Sequence, residues 1–267
     1  MVNESSEKNV FTLKEVLRLT ACIYKKAFKP IIILSLTSSI LSIFWQVINY
    51  SGTYVNKYMN PVLVYILFLA INLTINVYFN FRIYMSAYIL TDNYYDDKNM
   101  SAREAYKYSG SLVLRFIGTN LLFGLIFTIP LVGFFLSYSL IDNILIKGFT
   151  AVLFLVIVIV IFIKYYFATV SAVLITEKHR YFAISSEIVK GVKLKIFLIL
   201  LLSIFVFLLP YQLYTRVLFD INTMSEIHRL IARSVNQILL LFANPFSQIV
   251  TVVMYRKLLT LKGFQKE

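Results

Sequence analysis

One cysteine, two histidines and only 13 acidic residues stand in a chain of 267 that carries 26 Lys and Arg. Each scarcity closes off a class of function. Cys22 alone forms neither an intramolecular disulfide nor a thiolate metal cluster. His179 and His228 fall, by the topology argued below, on opposite sides of a membrane, so they read as interfacial residues rather than ligands of one metal. No glycine-rich loop of the kind that cradles phosphate occurs. The long apolar runs hold no carboxylate, whereas ion-coupled transporters usually keep an ionisable group at membrane depth, which counts against a proton-coupled carrier. Neither a metal nor a cofactor is expected, and the chain is not expected to be an enzyme.

Apolar side chains are what the sequence has in plenty: 59% of it, with a mean hydropathy of +0.77. Globular proteins are nearer about 45–50%. The excess lies in runs such as 149–163 and 196–209, too long and too apolar to face water, so the solvent is lipid. Nineteen Tyr suit a protein with many crossings, because amphipathic aromatics settle at the two interfaces. Residues 1–10 are polar and the first apolar run begins near Ile31, so the first span is expected to act as an uncleaved anchor.

The pattern predicts an all-α polytopic membrane protein with six transmembrane helices, at about 31–48, 61–81, 112–140, 149–166, 196–214 and 235–255. A basic amphipathic helix precedes three of them, at 12–28, 101–112 and 181–192. Pro30 suits the first turn of a new helix and marks the elbow where the chain enters the bilayer. Ser101 and Glu104 have the spacing of a capping box. The segment 91–99 reads as an acidic turn. Its Asp92, Asp96 and Asp97 suit a solvated loop better than a divalent-cation site, since nothing nearby completes a coordination pattern.

Laid over one another, the three units match. Thr12 and Glu15 align with Ser101 and Glu104, Arg18 with Lys107, Thr20 with Ser109, and the third unit keeps a hydroxyl at Ser185. The whole chain, 1–267, is therefore expected to form a single integral membrane domain built as a threefold internal repeat, with units at about 11–90, 100–175 and 179–260.

Charge predicts the orientation. With six spans, 21 of the 26 basic residues lie on the side that holds both ends, which places both termini in the cytoplasm of a multi-pass cell-membrane protein. Lys14, Arg18, Arg103, Lys107, Lys190, Lys193 and Lys195 are the cations placed to meet lipid headgroups, and the anionic leaflet is the expected partner. Nucleic acid is not, because these charges alternate with lipid-seeking residues rather than lining a groove.

Polar residues inside the spans are the remaining candidates for a site. Asn72, Asn76 and Asn80 stand at i, i+4, i+8. Gln237, Asn244 and Gln248 share one side of the last span, and Ser35, Ser39, Ser42 and Gln46 offer a further set in the first. They serve either as hydrogen-bonding glue between helices or as the lining of a headgroup or peptide site.

The stretch Ser185-x-Glu187-Ile188-Val189-Lys190-Gly191, followed by Lys195-Ile196-Phe197 and an apolar run, resembles the signature of a broad family of bacterial six-helix membrane proteins. That family includes the YciC-like proteins and the membrane domain found ahead of some glycerophosphodiester phosphodiesterases. Asn244-Pro245-Phe246 through Val253-Met254-Tyr255-Arg256 is similar to the family's last helix and its basic exit. The resemblance implies the topology. It does not imply phosphodiesterase activity, because the catalytic domain of the fusions would follow residues that end here at Glu267. The expected function is non-catalytic handling of an amphiphile, either lipid or membrane-active peptide, directly or as partner of a transport complex such as one with a transporter ATPase. The alternative is a structural or bacteriocin-immunity-type protein that acts by binding another membrane protein.

Overall fold

The computed structural model describes residues 11–55, 60–175, 180–203 and 226–264; within these, the side chains at 49–55, 61, 76, 203, 226–239, 242 and 243 lie outside the description. Among the described residues the chain is all helix, with no strand. Four helical stretches among the described residues are long and apolar enough to cross a membrane: Phe28–Ile48, Val62–Tyr95, Ala102–Leu140 and Ile144–Leu174. The expected fifth span is described only as far as Ser203, and the sixth falls within a helix whose side chains are described mainly beyond Leu240.

Helix α1, Leu13–Lys26, starts where the Thr12 hydroxyl accepts from the Glu15 N–H at 3.3 Å, a cap that satisfies one orphan donor of the first turn. It ends at Ala27, and α2, Phe28–Val55, begins with Pro30 in its first turn. Asn60 caps α3, Pro61–Leu73. A π-helical stretch, Thr74–Asn80, joins it to α4, Phe81–Tyr95. The capping box is present at α5, Ala102–Ser109, with Ser101 and Glu104 each receiving the other's backbone N–H. One 3-10 turn then leads into α6, Val113–Leu140. Helices α7, Ile144–Tyr165, and α8, Ala168–Leu174, are separated by a break at Tyr166 and Phe167. Helix α9, Tyr181–Ile188, turns through Gly191, whose φ of +85° only glycine takes without strain, into α10, Lys193–Ser203. The last helix, α11, is Glu226–Leu261.

The core sits at one end of the bundle, the end that holds Phe11 and Phe264. Helix α4, α8 and the later part of α11 supply its centre, with Met85, Leu90, Phe167, Val170, Ile249 and Met254 all at or below 1% exposure. The short helices pack around it: α5 on α4, α9 on α8 and α1 on α11. Thr20, Ser109 and Ser185, one hydroxyl from each short helix, are all fully buried. Ser185 mends the break in the neighbouring helix. Its oxygen accepts from the Phe167 N–H at 3.2 Å and its hydroxyl donates to the Lys164 carbonyl at 3.0 Å, so both orphaned backbone groups find a partner.

One expectation is corrected here. Thr91 to Tyr95 are not a turn: the chain stays helical beyond Phe81 as far as Tyr95, and the turn follows at Asp96 and Asp97. Asp92 is 3% exposed rather than solvated. Its position is tolerable because Arg256 Nε lies 3.2 Å from Asp92 Oδ1, which pairs the buried charge.

Candidate functional site

Polar groups from three helices converge on a cavity of about 110 Å³. Helix α2 contributes Ser35, Ser38, Ser39 and Ser42, whose i, i+3, i+4, i+7 spacing puts four hydroxyls on one face. Opposite them lie Asn80, where the π-helical stretch ends, and Tyr84 on α4. Helix α11 adds Asn244 and Gln248. The Ser38 hydroxyl donates to Asn80 Oδ1 at 3.2 Å, and Tyr84 is in hydrogen-bonding contact with Gln248 and with Tyr88. Leu34, Ile83, Ala87, Leu240 and Leu241 form the apolar part of the wall. Ser39 and Gln248 are buried, while Asn244 and Tyr84 are exposed.

Its depth follows from helix geometry. Twenty residues separate Asn60 from Asn80, and the same number separate Ser35 from Val55. At about 1.5 Å per residue each stretch is close to the roughly 30 Å hydrocarbon thickness of a bilayer. The cavity therefore lies about one hydrocarbon thickness from Val55 and Asn60, along α2 and α3.

The structure brings together some of the residues the sequence grouped and separates others. Asn80, Asn244 and Gln248 line one cavity with Ser35, Ser39 and Ser42. Asn72 does not line it, being two turns away in α3. The i, i+4, i+8 stripe presumed an unbroken α-helix, and the i to i+5 winding of Thr74–Asn80 shifts Asn80 relative to Asn72. The side chains of Asn76 and Gln237 lie outside the described residues, as do those of His179 and His228. The seven cations grouped for headgroup contact, Lys14, Arg18, Arg103, Lys107, Lys190, Lys193 and Lys195, are all exposed. They are spread over α1, α5, the α9–α10 turn and the first turn of α10 rather than gathered at the cavity.

A second polar feature rings the termini-bearing end. Arg256 on α11 pairs with Asp92 and Asp96, and Lys257 pairs with Glu15 of α1. Lys26 Nζ lies 2.5 Å from Asp97 Oδ1. That hydrogen bond, and then the Asp97 charge, hold the Lys26 ammonium above its usual value. Sequence reasoning missed these pairings, along with Ser38 and Tyr84. Comparison of the chain with protein-family models, curated proteins and solved structures gives no match.

Proposed function

We propose that the protein is a non-catalytic, multi-pass membrane protein that handles an amphiphile at the serine- and amide-lined cavity. The carrying observation is the convergence of Ser38, Ser39, Asn80, Asn244 and Gln248 on one cavity. Packing glue would leave no space between such groups. Here they share a cavity wall with Leu34, Ile83, Ala87, Leu240 and Leu241, and an amphiphile has the matching two-part chemistry. Asp92 and Asp96, Glu15, and Asp97 are engaged in ion pairs with Arg256, Lys257 and Lys26, respectively.

The reading includes six spans, a threefold repeat and cytoplasmic termini, as the resemblance to the YciC-like family also implies. Support for the repeat comes from the contact order, in which each short helix packs on the last helix of the preceding unit and α1 closes the circle on α11. The buried hydroxyls Thr20, Ser109 and Ser185, and again Ser86, Ser171 and Thr251, fit the same scheme. Support for the orientation comes from the basic excess on the termini side. The second reading, binding to another membrane protein, draws on the flanks of α6 and α7, whose apolar windows have no buried residue.

Single-cysteine labelling tests the proposal, starting from a Cys22→Ser background. Cysteines placed at Ser42, Asn80 and Asn244 should react with a small hydrophilic thiol reagent, and added amphiphile should protect them. In intact cells an impermeant reagent should label cysteines at 53 and 143 and spare one at 97. Inert cavity cysteines would return the seam to packing and leave protein binding as the better reading. Labelling at 97 would invert the topology.

A further inference from the structure

We propose that the cavity takes the uncharged, hydroxylated head of a neutral lipid of the diacylglycerol class, and excludes anionic headgroups; this deepens, and rests on, the amphiphile reading above. The chemistry of the lining leads there. Among the described residues, every polar group on the wall is a hydroxyl or a carboxamide, and none is charged. Serine and asparagine both donate and accept, so they match a hydroxyl or an ester carbonyl. A phosphate at this depth would lack a counter-charge, and an ion removed from water without one is strongly disfavoured.

Two nearby cations are committed elsewhere. Arg82, two residues beyond Asn80, donates to the Tyr106 carbonyl at 2.7 Å and to the Tyr78 hydroxyl at 3.1 Å, with its guanidinium 4.0 Å from the centre of the Tyr106 ring. Arg256, eight residues beyond Gln248, is held by Asp92 and Asp96. Neither is left over for a phosphate.

Size and depth fit the class. A cavity of about 110 Å³ is well above the roughly 10–15 Å³ that one water needs on the same measure, so a glycerol-sized head has room. The site lies about one hydrocarbon thickness from Val55 and Asn60, where a head without charge settles more readily than one with a phosphate. A further polar group waits on the same face of α2: Gln46, one turn beyond Ser42, has a buried Oε1 without a hydrogen-bond partner among the described residues. The exposed Tyr84 and Asn244 mark the side through which the head enters while its tails remain in the bilayer.

The test uses the full chain in nanodiscs of dioleoylphosphatidylcholine, with a photoactivatable diacylglycerol as probe. Crosslinks should map to α2 and α11. Unlabelled dioleoylglycerol should compete about tenfold better than dioleoylphosphatidylglycerol at equal mole fraction. Ser42→Leu, which fills the cavity with a side chain lipid tolerates, should cut labelling about fivefold or more while Leu121→Ala on α6 leaves it unchanged. The wild-type competition decides the matter if Ser42→Leu misfolds. Equal or better competition by the anionic lipid overturns the neutral-head inference and leaves amphiphile handling standing. Absence of specific crosslinks overturns the inference as well, and if the cavity cysteines are also inert the amphiphile reading falls with it.

Discussion

The two ends of the bundle are built on opposite plans. Around the termini, α1, α4, α5, α8, α9 and α11 share one buried cluster, and Tyr255, Met254 and Ile249 have no exposed surface. At the far end α6 and α7 touch one another through Phe134 stacked on Phe154 at 4.3 Å, while Leu121, Leu136 and Leu155 along the same hairpin are more than half exposed. The difference fits a lipid solvent around the hairpin. Lipid tails are as apolar as leucine, so a hairpin within the hydrocarbon gains little by covering its apolar faces. The end that gathers the short helices gains the hydrophobic effect where it meets water and condenses. Stability is thus concentrated in the collar and the lower core, and the cavity sits at the seam between the two plans.

Removing the central charge of the collar should have the largest effect. Arg256→Ala leaves Asp92, 4% exposed at its side chain, without its cation. Breaking a buried pair in this way costs about 3–5 kcal/mol, which should appear as a clear drop in the thermal midpoint in detergent. Adding Asp92→Leu should recover part of the loss, since the orphaned charge then goes too. A single variant that melts like the wild type would show that the collar is not held by this pair.

The next contrast is a leucine truncation in each region. Leu258→Ala, at a position 1% exposed, opens a cavity in the collar core and should cost about 2–5 kcal/mol. Leu136→Ala on α6, 61% exposed, should change stability by no more than about 0.5 kcal/mol. Parallel melting curves on the two variants measure the difference. Equal losses would mean that the far end of the hairpin packs against protein and not lipid.

How much of this was legible beforehand depends on the range over which each feature is encoded. The Ser101–Glu104 box, the Thr12 cap and the elbow at Pro30 are written within a few residues, and periodicity alone located α1 and α5. The serines of α2 and the amides of α11 could be assigned to faces because those helices wind regularly near the cavity. Asn72 could not be separated from Asn80, because a π-helical turn has no period that apolar spacing exposes. The collar was illegible for a different reason: Arg256 and Asp96 are 160 residues apart, and Lys257 and Glu15 are 242 apart. Charge counting placed them on one side of the membrane but had no means of pairing them.

The smallest effect is expected at a third ion pair on the same end. Lys26 and Asp97 are close, yet their side chains are 49% and 78% exposed, against 12% and 4% for Arg256 and Asp92. Exposed pairs are screened by salt and water, and both partners give up rotamer freedom to meet. Lys26→Gln should therefore shift the melting point only slightly at neutral pH, and added salt should erase the shift. The pH dependence has a definite sign. Contact with Asp97 raises the Lys26 pKa above its ordinary 10.5, so the folded state holds that proton more tightly than the unfolded chain. Whatever the pair contributes is fully present below 10.5 and disappears as pH rises through the raised value. Melting curves of wild type and Lys26→Gln should stay parallel from neutral pH to about 9 and converge above 10.5. A large, salt-resistant loss at pH 7 would place this pair with Arg256 in the buried class, and the collar would then extend further along α1 than its exposure indicates.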